Sequence, residues 1–436
     1  MVVILRNAIL VDLDPPGVEE GDLRVDGGSV AARGRAVAEP ADTVVDCGGA
    51  VVLPGLVNGH THLYSSLATG MPPPQTAPTC FREILEQVWW RLDRALDADG
   101  IEASARVGCL DAVRCGTTTL IDHHASPNCI TGSLDAVERG AGDIGVRIVQ
   151  CYETTDRHGP EGARQGLEEN RRYLEKCARR RDGRYAALVG AHAAFTLERQ
   201  TLGELGALAD AFDTGVHIHV AEDACDEQES RRRFGMSLLD LLAETGILRP
   251  ASVFVHGTHL GPEAIPLLRE HTPTIAHNPR SNMNNAVGYA PVAGLPCPVI
   301  LGTDGIGSDM LTEARFAWFK ARDSHTPLSG EHVLAMLAGA ARRASQTLGV
   351  TLGRLEPGAA ADLVITDYVP TTPLTAENVF GHLVFGLGSQ AARDVMIGGR
   401  WVMQDRRMLT CNEVEIRRYA RQQAGAIWKR MESLSD

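Results

Sequence analysis

Val51-Val52-Leu53-Pro54-Gly55-Leu56-Val57-Asn58-Gly59-His60-Thr61-His62 is an apolar, β-branched run that ends in two histidines. A run of this length and composition reads as a buried strand, with the imidazoles projecting from its carboxyl end. Four later motifs repeat the arrangement: His219-Val-Ala-Glu222, His256, His277-Asn-Pro and Thr303-Asp304-Gly305 each follow an apolar stretch. Eight such stretches read as parallel strands: Val51 to Val57, Thr117 to Asp122, Val146 to Tyr152, Ala187 to Ala191, Val216 to Val220, Ser252 to Val255, Thr274 to Ala276 and Pro298 to Leu301. Segments of helical period separate most of them, for example Ile101 to Arg114, Glu161 to Arg179, Leu202 to Phe212 and Met236 to Thr245. This alternation predicts an α/β fold, a (β/α)8 TIM barrel, in which catalytic groups sit at the carboxyl ends of the strands.

The chain of 436 residues, 44% apolar, exceeds the roughly 250 residues of such a barrel. Short strands broken by Gly and Pro lie at both ends: Val2 to Leu5, Leu23 to Val25 and Val44 to Val45, then Ala361 to Ile365 and Asp394 to Arg400. They predict one small β-sandwich built from both termini, residues 1–55 and 354–436, flanking a barrel over 56–353. A final amphipathic helix runs from Asn412 to about Leu434. The net charge of −13 disfavours a nucleic-acid partner, since phosphate binding needs a basic face. With no signal-peptide-like start and no apolar run of 18 residues, the reading is of a cytoplasmic protein without membrane contact. Ten cysteines, none in Cys-x-x-Cys spacing, read as reduced, buried side chains.

Alternation along an extended backbone places His60 and His62 on one side, about 6 to 7 Å apart, which suits coordination of one metal. His219 adds a third nitrogen and Glu222 an adjacent carboxylate for proton transfer. His217, two residues deeper on the same face, reads either as a packed interior histidine or as a replacement ligand. Glu222 also reads as an exposed loop acid in the acidic run Glu222, Asp223, Asp226, Glu227, Glu229. Asp304 follows an apolar run, where a charge is costly unless paired or metal-bound, so a ligand role is the simplest reading. Three imidazoles and Asp304 leave a position for a water whose pKa a divalent ion would bring to near 7. His256 would hold that water or polarise the substrate.

These residues resemble a known family. Pro54 to His62, His219-x-x-Glu222, His256, His277-Asn278-Pro279 with Ser281-Asn282, Gly302-Thr303-Asp304-Gly305 and the Gly358-Ala-Ala-Ala-Asp362 stretch look like the amidohydrolase superfamily, in its mononuclear deaminase and chlorohydrolase branch. The resemblance spans nearly the whole chain. Trp89 to Asp93, Ile121 to Asn128 and Ser281 to Gly288 are similar to the SsnA-type aminohydrolases within it. The resemblance implies metal ligands His60, His62, His219 and Asp304, with Glu222, His256 and Asp304 acting on water and substrate, and His192 in contact with the ligand. The two-metal members are bridged by a carbamylated lysine. This chain has three lysines, Lys176, Lys320 and Lys429, none at a strand end, which predicts one divalent metal per subunit, zinc or alternatively iron(II).

The implied activity is hydrolytic deamination of an amino-substituted heterocycle such as a purine, pterin or pyrimidine, releasing ammonia. The same groups would also act on an acyclic amidine or formimino compound. A chlorohydrolase of this branch tends to lack the Glu222-type shuttle, and an inactive metal-binding barrel would be expected to lose at least one of these groups. Candidate substrate contacts are His192, Trp90, Glu153, Asn282 and His124, with Tyr64, Trp89, Arg91, Asn128 and Phe195 also on the loop side. Of Trp89 and Trp90, at least one reads as core. Relatives suggest a homodimer or larger homo-oligomer.

Overall fold

Residues 2–34 and 42–434 are described by a computed structural model. Leu56–Thr61, Thr117–His124, Arg147–Tyr152, the interrupted pair Tyr185–Ala187 and Val189–Ala193, Val216–Val220, Val253–His256, Thr274–His277 and Val299–Leu301 are the eight barrel strands, each parallel to the next. The ring closes where the Thr303 and Asp304 amides donate to the carbonyl of His60 at 2.8 and 3.0 Å. Between strands three and four it closes through Thr154, which bridges to Ala191. Alternation sorts the side chains. In strand six, Val253 and Val255 join the cluster that holds Val57, Ile121, Val149 and Ile300. Phe254 faces the other way, into the helix layer of Leu202, Leu205 and Leu242.

The first strand differs from its sequence reading. Val51–Pro54 pairs with Val3–Leu13 and Leu363–Thr366 in the terminal sheet, and the barrel strand begins only at Leu56. The change of sheet falls at Gly55, where a Cβ would meet the Thr118 side chain at 2.3 Å, so the crossing needs glycine. The terminal strands form one hydrogen-bonded sheet of nine. Its far strand, Ser29–Gly34, returns to bond residues 358–361 just ahead of Leu363–Thr366, for example Val30 N–H to Ala359 O at 2.9 Å. The sheet therefore curls around one core of Val3, Leu5, Leu23, Val52, Leu363 and Met396.

The helix Glu413–Ser433, capped by the Asn412 side chain, does not belong to that core. Its buried residues Ala420, Ala424, Ile427 and Met431 pack with Ile101, Ala105 and Leu110 of the barrel helix Ala98–Arg114. All ten cysteines are unpaired. No described helix is long and apolar enough to cross a membrane.

Candidate active site

The strand ends are brought together by residues that tolerate no bulk. A Cβ on Gly59 would strike Ile300 Cδ1 and Leu301 O at 2.6 Å, and one on Gly302 would strike Asn278 Oδ1 at 2.5 Å and His60 Cβ at 2.8 Å. Strands one and eight can thus approach closely enough for His60, His62 and Asp304 to meet. His62 Nε2 lies 3.0 Å from Asp304 Oδ1 and 3.2 Å from His219 Nε2, and His60 Nε2 lies 3.5 Å from the same Asp304 oxygen. One ligand atom from each of His60, His62, His219 and Asp304 falls within 4.8 Å of the others, so the four could hold one ion. Two facts show that the donors fit a divalent cation. His60 Nε2 is buried with no hydrogen-bond partner, and three nitrogens with one carboxylate oxygen match such an ion in number and softness.

Each imidazole is held from behind through Nδ1. His62 Nδ1 donates to His123 O at 2.6 Å, His219 Nδ1 to His192 O at 2.9 Å, and His60 Nδ1 meets His217 Nε2 at 2.8 Å. This leaves all three Nε2 atoms facing inward, the arrangement by which outer groups fix a ligand's tautomer. His217 is therefore a support for His60 and not a replacement for it. Burial drives His60, His219 and His217 below their ordinary value, keeping them neutral. Burial alone would raise Asp304, but the His60 and His62 rings packed against its carboxylate override it and hold Asp304 well below the usual range.

Beside this cluster, His256 Nε2 lies 3.3 Å from Glu222 Oε2 and 3.7 Å from Asp304 Oδ2. His256 Nδ1 is held by Asn282 Oδ1 at 2.7 Å, and Asn285 donates to Glu222 at 3.2 Å. Burial lifts the Glu222 carboxyl to about 7, against the lowering effect of His256. The backbone is strained at all three points: Ala221, His256 and Asp304 have φ of 51°, 75° and 55°. Non-glycine residues in that region cost about 1–3 kcal/mol each and gather at functional sites. In His256 the strain breaks the strand's alternation, turning inward a side chain that would otherwise lie on Phe254's side.

The cluster opens into a cavity at the carboxyl ends of the barrel strands. His62, His219, Glu222, Asp304, His192, Glu153 and Trp90 all line it, together with Tyr64, Trp89 and Phe195. Both tryptophans reach it because Leu85–Trp89 forms a π-helical turn between Phe81–Ile84 and Trp90–Arg94, adding a residue to the turn. Two proposed contacts lie elsewhere. Asn282 is buried behind His256, and its carboxamide oxygen is taken by that ring. His124 packs against Tyr64 and Tyr152 and bonds Ser126 Oγ at 2.9 Å, away from the lining. Arg91 is spent on the Met431 carbonyl and Asn128 on that of Arg94.

His123, unassigned in the sequence, stacks on His217 with ring centroids 4.5 Å apart and lies 4.9 Å from the His219 ring, both its nitrogens unpartnered. Strand parity was the available signal, since His123 must face opposite to Asp122 and His124. The acidic run after Glu222 is also not a loop. Asp223 caps the helix Ala224–Phe234, whose first turn holds Asp226 and Glu227, whose last turn holds three arginines, and which Gly235 closes in the left-handed region.

The profile of the amidohydrolase family matches residues 51–402. A 5′-deoxyadenosine deaminase of Methanothermobacter thermautotrophicus is 30% identical over 90% of this chain and 91% of its own length. A 5-methylthioadenosine/S-adenosylhomocysteine deaminase of Desulforudis audaxviator is 30% identical over 97% of this chain and 98% of its own. Among solved structures, an adenosine deaminase from Xanthomonas campestris with bound zinc superposes with a TM-score of 0.85 at 22% identity, covering 99% of both chains, which establishes the fold. An E. coli guanine deaminase gives 0.79 at 20% identity, over 93% of this chain and 99% of that one.

Proposed function

The chain belongs to the amidohydrolase family, and on that premise we propose that it removes an amino group hydrolytically from a purine-, pterin- or pyrimidine-like heterocycle, releasing ammonia. The observation that carries this reading is the placement of Glu222 and Asp304 on the lining of an aromatic-walled cavity, with His256 buried against both, 3.3 Å from Glu222 and 3.7 Å from Asp304. The names of the two deaminase relatives support it. His60, His62, His219 and Asp304 would hold one divalent ion, zinc in our reading. When bound, such an ion lowers the pKa of water and polarises the reacting centre.

The protein's own groups divide the proton work. Asp304 Oδ2, which accepts from Ser281 Oγ at 2.5 Å, faces His256 and is placed to take the first proton from the attacking water. His256, its Nδ1 tied to Asn282, presents Nε2 to the carbon that becomes tetrahedral and stabilises the charge gathering there. Glu222, with a carboxyl near neutrality, both gives and takes a proton at pH 7, as delivery first to the ring nitrogen and then to the departing amine requires. The unpaired cysteines support a reducing, cytoplasmic setting. Exposed Phe316, Phe319 and Phe385 support self-association as a homodimer or larger oligomer, which sedimentation measures.

Ammonia release by metal-loaded protein from a panel of aminopurines, pterins, aminopyrimidines and formimino compounds tests the reaction. Glu222→Gln should keep its metal and lose about 10²- to 10⁴-fold in kcat. A normal rate in that variant would remove Glu222 from the mechanism.

A further inference from the structure

The wall of the cavity carries a buried carboxyl group that the reaction above does not use. Glu153 follows the third barrel strand and is 3% exposed. Its Oε1 lies 3.3 Å from His192 Nε2, and its Oε2 is buried without a hydrogen-bond partner. The neighbours that might take Oε2 are committed elsewhere: His62 Nδ1, 3.9 Å away, already donates to His123 O, and His219 Nδ1 to His192 O. His192 is fixed in turn. Thr196 Oγ donates to Ala193 O at 2.9 Å, so His192 Nδ1 donates to Thr196 Oγ at 2.8 Å, with Nε2 facing Glu153 Oε1 at 3.3 Å. Ionised, or protonated at Oε1, the carboxyl keeps Oε2 as an acceptor. A buried acceptor with no partner is costly unless a ligand satisfies it.

Charge points the same way. Asp93, Glu153, Glu222, Asp223, Asp226 and Asp304 line the cavity, and no lysine or arginine is among its described lining residues. The Arg157 guanidinium is paired with Asp93 at 2.9 Å and lies over the Trp90 ring at 4.3 Å. Apart from a bound divalent ion, a phosphate or carboxylate would find acidic walls and, among the described lining residues, no lysine or arginine.

We infer that the preferred substrate is an uncharged or cationic amino-heterocycle with a second N–H donor, an exocyclic amine or a ring N–H, which Glu153 Oε2 accepts on the edge away from the amine being removed. This rests on the deaminase reading above. It separates N9-substituted adenines, whose remaining ring nitrogens are all acceptors, from diamino or lactam rings, which offer the extra donor. Glu153 is then a specificity-determining residue, and the His192–Thr196 chain keeps it aimed.

The test is calorimetric binding to metal-loaded enzyme, with ammonia release measured in parallel, for matched pairs: 2,6-diaminopurine riboside against adenosine, and adenosine against its 5′-monophosphate. The second amine should tighten binding about 10- to 100-fold, and the monophosphate should bind at least about tenfold more weakly than the nucleoside. Glu153→Gln, which turns an acceptor into a mixed donor and acceptor, should bring the diaminopurine ratio to within about threefold. Glu153→Asp, which keeps the charge but withdraws it by one methylene, should give an intermediate ratio. A wild-type ratio near one, or a ratio unchanged in both variants, overturns the inference. Selective binding without ammonia from any ring would sink the deaminase reading and leave this one standing, whereas ammonia without selectivity would do the reverse.

Discussion

The third barrel strand ends in opposite ways. At its amino end Arg147, 8% exposed, makes two parallel bonds to Asp362 at 2.7 and 2.9 Å and a third to Gly183 O at 2.6 Å. Asp362 Oδ1 also accepts from the Gly398 amide at 2.7 Å, so barrel and terminal sheet are joined by a fully paired ion pair. Just past its carboxyl end stands Glu153, with an unpartnered oxygen, near His123, whose ring nitrogens are also unpartnered. Left-handed non-glycine residues stand at that end too, at Ala221, His256 and Asp304. Along this strand a satisfied ion pair holds the amino end to the terminal sheet, and an unsatisfied carboxyl oxygen is kept at the other end for a ligand to complete.

That contrast breaks most visibly at the metal cluster. His60→Ala removes one of three nitrogens and should abolish bound metal, measured by atomic emission, together with turnover, which falls by on the order of 10³ or more. The fold should survive, because nothing at the amino end depends on His60. Asp362→Ala is the opposite experiment. It leaves Arg147 buried without its partner and should cost about 3–5 kcal/mol in urea unfolding while the folded fraction keeps its kcat. Equal effects of the two variants on both readouts would mean that the ends are not separable.

The same division explains what could be read from the chain. Strand parity and the spacing of His60, His62, His219, Glu222, His256 and Asp304 were legible because each group sits at the end of an apolar run, and Gly59 and Gly302 mark the close approach beside them. The sheet change at Gly55 was hidden, since Val51 to Val57 is one apolar run whichever sheet takes each half. The helix Ala224–Phe234 was masked by its own charge, although its Asp cap, acidic first turn, basic last turn and closing glycine are all helix signals. A π-helical turn has no signature at period 3.6, so the joint exposure of Trp89 and Trp90 to the cavity could not be seen. Asn282 was placed on the right segment, the short helix Pro279–Asn284, but only packing shows that its carboxamide is taken by His256.

A smaller effect tests the supports behind the metal cluster. His217→Ala removes the acceptor for His60 Nδ1 and should weaken metal binding about 10- to 100-fold in a chelator competition, with His217→Gln recovering part of the loss. If alanine and glutamine bind metal equally, His217 only fills space.

The smallest expected effect lies at the hinge between helix and site. Asp226 accepts from the amides of Ala221 at 2.9 Å and Phe195 at 3.3 Å, holding the strained residue that leads into Glu222. Asp226→Asn keeps the shape but can accept at only one of these amides, a loss of about 1 kcal/mol. The pH dependence identifies the cause. Burial raises the folded-state pKa of Asp226 from 3.8 to about 7, so between those values the unfolded chain releases a proton that the folded chain keeps. The carboxyl's contribution is therefore fully present below about pH 4 and declines as pH rises towards 7, whereas the amide contributes no such slope. Wild-type stability minus that of Asp226→Asn should then be greatest near pH 4 to 5 and shrink by pH 7.5. Parallel unfolding profiles across that range would show that Asp226 is already ionised in the folded protein and that its two amide bonds, not its burial, set its charge.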